Sequence, residues 1–511
     1  MRTPIKARHA VYALLSMLAL LGALTTSQGS KAVVSNTAQV PANVHTAASN
    51  ATQVTVNVNS SLGTIPKTAF GLNTAVWDSQ LLDSGLPSLL RQTGTEMLRF
   101  PGGSTADAYH WQTNSLTHGQ SGYIDPHNTF DAFMGVAQQT NAQAMLTVNY
   151  GSNAAGTAGG DPQEAAAWVR YANLTKHYGV RYWEIGNEVY GNGTYGSQWE
   201  VDLHKEHGPT AYAQNALTFI HAMKAVDPTI QVGVVLTAPG RWPDALSPDW
   251  NRNVLSVACQ DINFVDVHWY PQDPKQESDS GLLASASKIN AMVATLHARI
   301  RQYCGSHASQ VGIMVTETNS VSFNPGKQTT GPVNALFLAD TTMNWLENGV
   351  ANIDWWDIHN SITTGQNNSP SLYGDQQYGD YGILSSGQSN AGISEPPAET
   401  PFPSYYGLQM LTKLGSGGDQ MLQASSNEPL LSVHAVKQQD GRLAILLINK
   451  NPSTNYNVSF SLPGYQVASA ATLYSYGKSS SALQTTQDPA FGSTLSEDIP
   501  PYSLVTIVLG S

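Results

Sequence analysis

Two stretches of this chain end an apolar run on a carboxylate. In RYWEIGNE, Arg181 to Glu188, the β-formers Tyr182, Trp183 and Ile185 are cut short by Gly186, Asn187 and Glu188. In GIMVTETN, Gly312 to Asn319, Glu317 stands near the end of a run of the same kind. Two carboxyl groups brought together at the ends of parallel strands divide the work of glycosidic bond cleavage. One, protonated, releases the leaving oxygen; the other, ionised, attacks carbon or activates water. Glu188 and Glu317 are therefore the candidate catalytic residues. Glu184 comes earlier in its run and is expected to be a buried partner for a cation such as Arg99.

Such a pair needs strands to carry it, and the chain supplies eight short apolar runs separated by longer amphipathic ones. The expected strands are Phe70 to Ala75, Met97 to Gly102, Ala144 to Tyr150, Arg181 to Glu188, Gln231 to Thr237, Phe264 to Tyr270, Gly312 to Asn319 and Asn352 to His359. Helices are expected over Phe130 to Thr140, Pro162 to Tyr178, Thr210 to Val226, Leu282 to Tyr303, Asn334 to Glu347 and Tyr405 to Leu414. Eight β/α repeats close a barrel whose strand ends carry the chemistry. The long Gly-, Asn- and Pro-rich segment from Asn360 to Pro403 leaves from that same face and is expected to wall the site.

After Ser416 the pattern changes to short strands with turn signals, including a hairpin across Asp440 and Gly441. Val54, Val56 and Val58 alternate with polar residues ahead of the barrel, as an extra strand for that later sheet would. The expected class is α/β: a (β/α)8 TIM barrel over residues 67–415, with a C-terminal antiparallel β-sandwich over 416–511. Residues 51–66 form an N-terminal strand joining the sandwich. Residues 31–50 read as a flexible linker. Residues 1–30, with Arg2, Lys6, Arg8 and an apolar run from Ala10 to Leu24, read as a secretory signal peptide, which places the protein outside the cytoplasm, extracellular or periplasmic.

The formal net charge is −12, and removing residues 1–30, which hold three bases and no acids, takes it to −15. That balance disfavours nucleic acid and anionic surfaces and suits a neutral ligand. No membrane association is expected once the signal is removed. Cys259 and Cys304 are the only cysteines and, in an exported chain, are expected to be bonded. His204 and His207 lack any accompanying ligand pattern, so no metal site is expected. Gly191, Gly193 and Gly196 form a GxGxxG motif, but the polar stretch after it is no dinucleotide-binding helix.

The stretches LRFPGGSTADAYHW from Leu98, YWEIGNE from Tyr182, VHWYP from Val267 and VTETN from Val315 together resemble the clan A glycoside hydrolases, most closely the α-L-arabinofuranosidases of family 51. The resemblance runs from about Phe70 to Trp356, with a similar β-sandwich after it. It implies Glu188 as acid/base and Glu317 as nucleophile of a retaining mechanism without cofactor. It also implies a substrate-binding set of Asn187, Arg99, Ser104, His268, Tyr270 and Trp356, in which His268 and Tyr270 steady the nucleophile and Trp356 floors the sugar site. The implied substrate is a plant polysaccharide or oligosaccharide bearing α-L-arabinofuranosyl groups. Two positions depart from the family: Ser104 stands where Asn is usual, and Thr316 and Thr318 flank Glu317 where the family has an Asp-Glu-Trp setting. The shorter Ser104 leaves room for a pyranose or an extended chain. A β-xylosidase, an endo-β-glucanase or xylanase, and a non-catalytic carbohydrate-binding protein are the alternatives.

Overall fold

The computed structural model describes residues 52–247, 249–467 and 470–510. The expected signal peptide and linker, residues 1–50, lie outside the described residues. Eight parallel strands close a barrel in chain order: Phe70–Asn73, Met97–Phe100, Gln143–Val148, Tyr182–Ile185, Gln231–Thr237, Phe264–Trp269, Gly312–Thr318 and Asn352–Trp355. Several stop earlier than the apolar pattern suggests. The fourth ends at Ile185 because Gly186 (φ 75°) and Glu188 (φ 41°) turn the chain out of the ladder.

Helices precede each later strand on the outside. Two of them, Leu86–Gln92 and Asp249–Ala258, were not expected from the sequence. The single helix expected over Leu282 to Tyr303 is two, Asp279–Ala284 and Ile289–Cys304, joined by a tighter turn. Asp161 caps the helix Pro162–Val169 by accepting from the Gln163 amide. Beyond Val169 that helix loosens into a wider turn over Arg170–Thr175 and does not reach Tyr178. Cys259 and Cys304 are bonded beneath the sixth and seventh strands, with a Cα separation of 5.0 Å. No helix among the described residues is long and apolar enough to cross a membrane.

The barrel interior is layered by the two-residue alternation of its strands. Met97, Met145, Phe264 and Met314 form an apolar plug, with Tyr182 against it. Two residues further along the same strands stand Arg99, Thr147, Asp266, Thr316 and Glu184, so a polar layer sits directly on the plug. Arg99 is fully buried at its centre. It donates to Glu184 (2.7 Å), Asn73 (2.9 Å), Glu317 (2.8 Å) and Asn187 (2.9 Å).

The seventh strand breaks the alternation. Its register against the sixth shifts between Val315 and Glu317, as at a β-bulge. Through that irregularity both Thr316 and Glu317 reach interior partners, Glu184 and Arg99 respectively.

The C-terminal unit is a continuous nine-stranded sheet, almost wholly antiparallel. The N-terminal strand Thr52–Thr64 belongs to it, pairing antiparallel with Gln420–Ser426 and parallel with Tyr456–Ser461. The strand Leu443–Asn449 is buried on both faces. Leu443, Ile445 and Leu447 enter the core of the sheet domain, while Ala444, Leu446 and Ile448 join the core of the barrel. An unbroken apolar run is what such a strand requires.

A polar knot ties the two parts together. His434 contacts Glu347 through Nδ1 (2.8 Å) and Asp340 through Nε2 (3.1 Å), and Lys450 donates to Asp340 (3.1 Å). Burial opposes the charge on His434, but Glu347 and Asp340 raise its pKa from 6.5 to about 10. Burial likewise opposes the charge on Asp340, and Lys450 and His434 override it, taking Asp340 to about 2.

Two outcomes follow. The folded-state pKa of His434 is raised, so its stabilisation is complete below about pH 6.5 and lost as pH rises through about 10. That of Asp340 is lowered, so its contribution is complete above about pH 3.8 and lost as pH falls through about 2. The gap in urea midpoint between the wild type and His434→Gln should be widest between about pH 4 and 6.5 and narrow toward pH 10; a gap independent of pH would contradict the ion knot. Arg99→Met strands buried Glu184 without its cation and should cost about 3–5 kcal/mol in urea unfolding; a loss below about 1 kcal/mol would show that the layer is not held by its charge.

Candidate active site

Glu188 lies three residues beyond the end of the fourth strand, in the left-handed conformation that the Gly186 turn imposes. Its Oε1 accepts from the Tyr190 hydroxyl (2.8 Å) and faces His268 Nδ1 (3.0 Å), and its Oε2 accepts from Trp199 Nε1 (2.9 Å). Trp199 reaches the carboxylate by lying over Gly191, where a Cβ would stand 2.5 Å from the indole. The glycine of the rejected dinucleotide motif thus serves close packing. Glu317, on the seventh strand, accepts from Arg99 on Oε1 (2.8 Å) and from the Tyr270 hydroxyl on Oε2 (2.9 Å). One oxygen each from Glu188 and Glu317 and a nitrogen of His268 all lie within 4.8 Å of one another.

Hydrogen bonds fix where the proton sits between Glu188 and His268. The Thr316 hydroxyl donates to Glu184 (2.7 Å), so it receives from His268 Nε2 (3.1 Å), and that nitrogen carries hydrogen. The remaining His268 Nδ1 faces a Glu188 oxygen, and this contact needs one shared proton between two acceptors. Burial resists the charge on both groups. Glu317 and Glu188 nevertheless raise His268 above the ordinary histidine range, and His268, Tyr190 and Trp199 hold Glu188 below the ordinary carboxylate range. The shared proton therefore rests on the His268 side of the contact in the free protein.

Two further carboxyl groups back the site, and nothing in the spacing of the sequence marked them. Glu200 Oε1 accepts from the Ser104 hydroxyl (2.6 Å) and the Asn187 side-chain Nδ2 (3.0 Å), and Asp107 accepts from the Asn187 backbone N–H (3.1 Å). Burial, followed for Glu200 by the neighbouring acids, pushes both pKa values well above the ordinary range. These groups position Ser104 and Asn187, and burial works against their adding charge beside Glu188.

The expected binding residues thus divide. Arg99, expected in the binding set, is fully buried, and its guanidinium donates to Glu184, Glu317, Asn187 and Asn73 from behind the site. His268 and Tyr270 contact the two glutamates directly. Ser104 is exposed at the rim with Glu200 behind it. Trp356 lies over Gly103, where a Cβ would meet the ring at 2.9 Å, and meets Trp77 at 6.2 Å between centroids. Trp199, 42% exposed, stands at the mouth beside Glu188. The segment after the eighth strand joins the wall through Tyr381, whose hydroxyl donates to the Val321 carbonyl. Glu188, His268 and Glu317 have the spacing of a metal triad, as do Glu184, Asp266 and His268, but the first three already spend their polar atoms on one another and on Tyr190, Trp199, Tyr270, Thr316 and Arg99.

No family model matches the chain. It is 27% identical over 168 residues to the probable α-L-arabinofuranosidase C of Aspergillus fumigatus, covering 28% of this chain and 30% of that protein. It is 24% identical over 230 residues to the intracellular exo-α-(1→5)-L-arabinofuranosidase of Bifidobacterium longum, covering 41% of this chain and 39% of that one. These matches span well under half the length of the curated relatives. The family 51 α-L-arabinofuranosidase of Thermotoga petrophila superposes over 90% of this chain and 100% of its own, with a TM-score of 0.68 at 17% identity. A family 44 xyloglucanase of Paenibacillus polymyxa superposes over 90% of this chain and 100% of its own, with a TM-score of 0.64 at 13% identity. In sequence over part of its length, and in fold over nine-tenths of it, the chain is akin to the α-L-arabinofuranosidases of clan A.

Proposed function

We propose that this protein is an exported, retaining glycoside hydrolase that releases α-L-arabinofuranosyl residues from plant cell-wall polysaccharide. One observation carries the reading: oxygens of Glu188 and Glu317, from the fourth and seventh strands, approach within 4.8 Å. A closest approach under 4.8 Å falls short of the roughly 6.5–9.5 Å carboxyl separation of inverting enzymes and suits the roughly 5–5.5 Å of retaining ones. The leader-like residues 1–30 support export.

In the proposed reaction the Glu317 carboxylate, aimed by Arg99 and Tyr270, attacks the anomeric carbon. The bond to the leaving oxygen breaks as that oxygen takes a proton from Glu188, which Glu188 receives from His268 Nδ1 across their contact. A water then enters, gives a proton to Glu188 and attacks the same carbon, freeing the sugar and the Glu317 carboxylate. Asn187, held between Arg99 and Glu200, keeps one amide hydrogen for a sugar hydroxyl. Ser104 offers its hydroxyl at the rim, and Trp356 forms the floor.

The expected result is release of free arabinose from arabinan and turnover of an aryl α-L-arabinofuranoside. Oligosaccharides from a linear glucan or xylan, with no arabinose from arabinan, would instead support the endo-acting alternative. Glu317→Ala should reduce kcat by at least about 10⁴-fold on every substrate. Glu188→Ala should spare substrates with activated leaving groups and recover rate with azide; equal loss on all substrates, without azide rescue, would sink this division of roles.

A further inference from the structure

Away from the two glutamates, a cleft of about 1010 Å3 opens between the barrel rim and the sheet domain. The turns after the sixth and seventh strands, the segment after the eighth, and Tyr502 of the sheet domain line it. Lys327, 4% exposed, lies in its wall, and its ammonium makes one hydrogen bond, to the Gly374 carbonyl (2.8 Å), and no ion pair among the described residues. Two of its three N–H groups are unspent. Glu277, also in the wall and 7% exposed, takes Asn367 on one carboxylate oxygen (2.7 Å), while the other is buried with no partner. A buried cation with spare donors and a buried carboxyl with a spare acceptor share one cavity and do not pair with each other. Above them Tyr373 and Tyr502 meet edge to face, 5.5 Å between centroids, and neither hydroxyl has a hydrogen-bond partner among the described residues.

We propose that this cleft is a second carbohydrate-binding site for a neutral, polyhydroxylated chain. Sugar hydroxyls both donate and accept, so one such ligand takes the spare N–H groups of Lys327 and donates in turn to the carboxyl groups of the wall. The tyrosines add an aromatic flank for the C–H faces of a sugar ring. An anionic ligand would face Glu277, Asp279 and Asp375, and a simple cation would face Lys327. The cleft opens on the rim that carries Glu188 and Glu317, because turns after barrel strands all leave from that end. A polymer held there lies at the same end of the barrel as the catalytic pair. That its ligand is the substrate polysaccharide rests on the function proposed above; that the cleft takes a neutral sugar chain does not.

Ser280 lines the cleft from an exposed position, so Ser280→Trp fills it without disturbing the core, and Tyr373→Ala removes one aromatic wall. Each is made in the full chain, once alone for kinetics and once with Glu317→Ala for binding without turnover. Binding is read by retardation in gels containing linear arabinan, arabinoxylan or xyloglucan, with polygalacturonate as the anionic control. The expected result is retardation by at least one neutral polymer and none by polygalacturonate. Both cleft variants should weaken that binding by about tenfold or more, with kcat/KM on a small aryl arabinofuranoside within about twofold of wild type. No binding to any neutral polymer, undiminished binding in both variants, or a parallel loss on the small substrate would overturn the proposal. If the wild type turns over no arabinofuranoside yet still binds a neutral polymer through the cleft, the proposed function fails and the sugar site stands.

Discussion

One buried guanidinium organises the upper half of this barrel. Arg99 has no contact with water and directs its N–H groups to four side chains from the first, fourth and seventh strands. Burying that charge is costly unless every donor is met. The geometry that meets four of its five N–H groups is also the one that sets Glu317 and Asn187 in place. Glu184 supplies the compensating anion: burial raises its pKa, and the Arg99 charge, with hydrogen bonds from Thr147 and Thr316, brings it below the ordinary range. Asp266 and Asp354, in the same layer, are pushed upward by burial, Asp354 to about 8. The layer thus keeps its negative charge where Arg99 can balance it.

The same separation of charged from neutral acids continues outward. Glu188 lies low because three donors converge on it, while Glu200 and Asp107 lie high because they are buried beside other carboxylates. Environments that push neighbouring carboxyl groups apart are how one fold assigns acid, base and spectator. Thr316 carries this logic between layers, since its hydroxyl is bound at once to Glu184 below and His268 above. Glu188, implied as the acid/base, faces in the structure a His268 nitrogen on whose side the proton of their contact rests.

Much of this was legible in the residue pattern. Eight apolar runs with amphipathic spacers gave the strand count and order, and abrupt strand ends at Gly186 to Glu188 and around Glu317 located the carboxylates. The pairing of Arg99 with Glu184 could also be read. That its guanidinium is engaged by three further side chains could not, because spacing says nothing of how many partners a guanidinium finds. The bulge that turns both Thr316 and Glu317 inward is invisible to a two-residue period, which would send one of them outward. Glu200 lies in a loop and Asp107 in the short 3-10 turn Gly103–Ala108, neither long enough to show a period, so only three-dimensional packing reveals a buried carboxyl. The helix Asp249–Ala258 did carry a signal, since Trp250, Val254, Leu255 and Ala258 share one face; its polar residues masked it.

The account stands on Glu317 forming a bond to sugar. The most direct measurement is the mass of the intact protein after brief exposure to a 2-fluoro arabinofuranosyl donor with a good leaving group, followed by peptide mapping. The account predicts a gain of one fluorosugar per chain, carried by Glu317 and absent in Glu317→Ala. Turnover of arabinofuranosides with no such adduct, or an adduct on another residue, would contradict it.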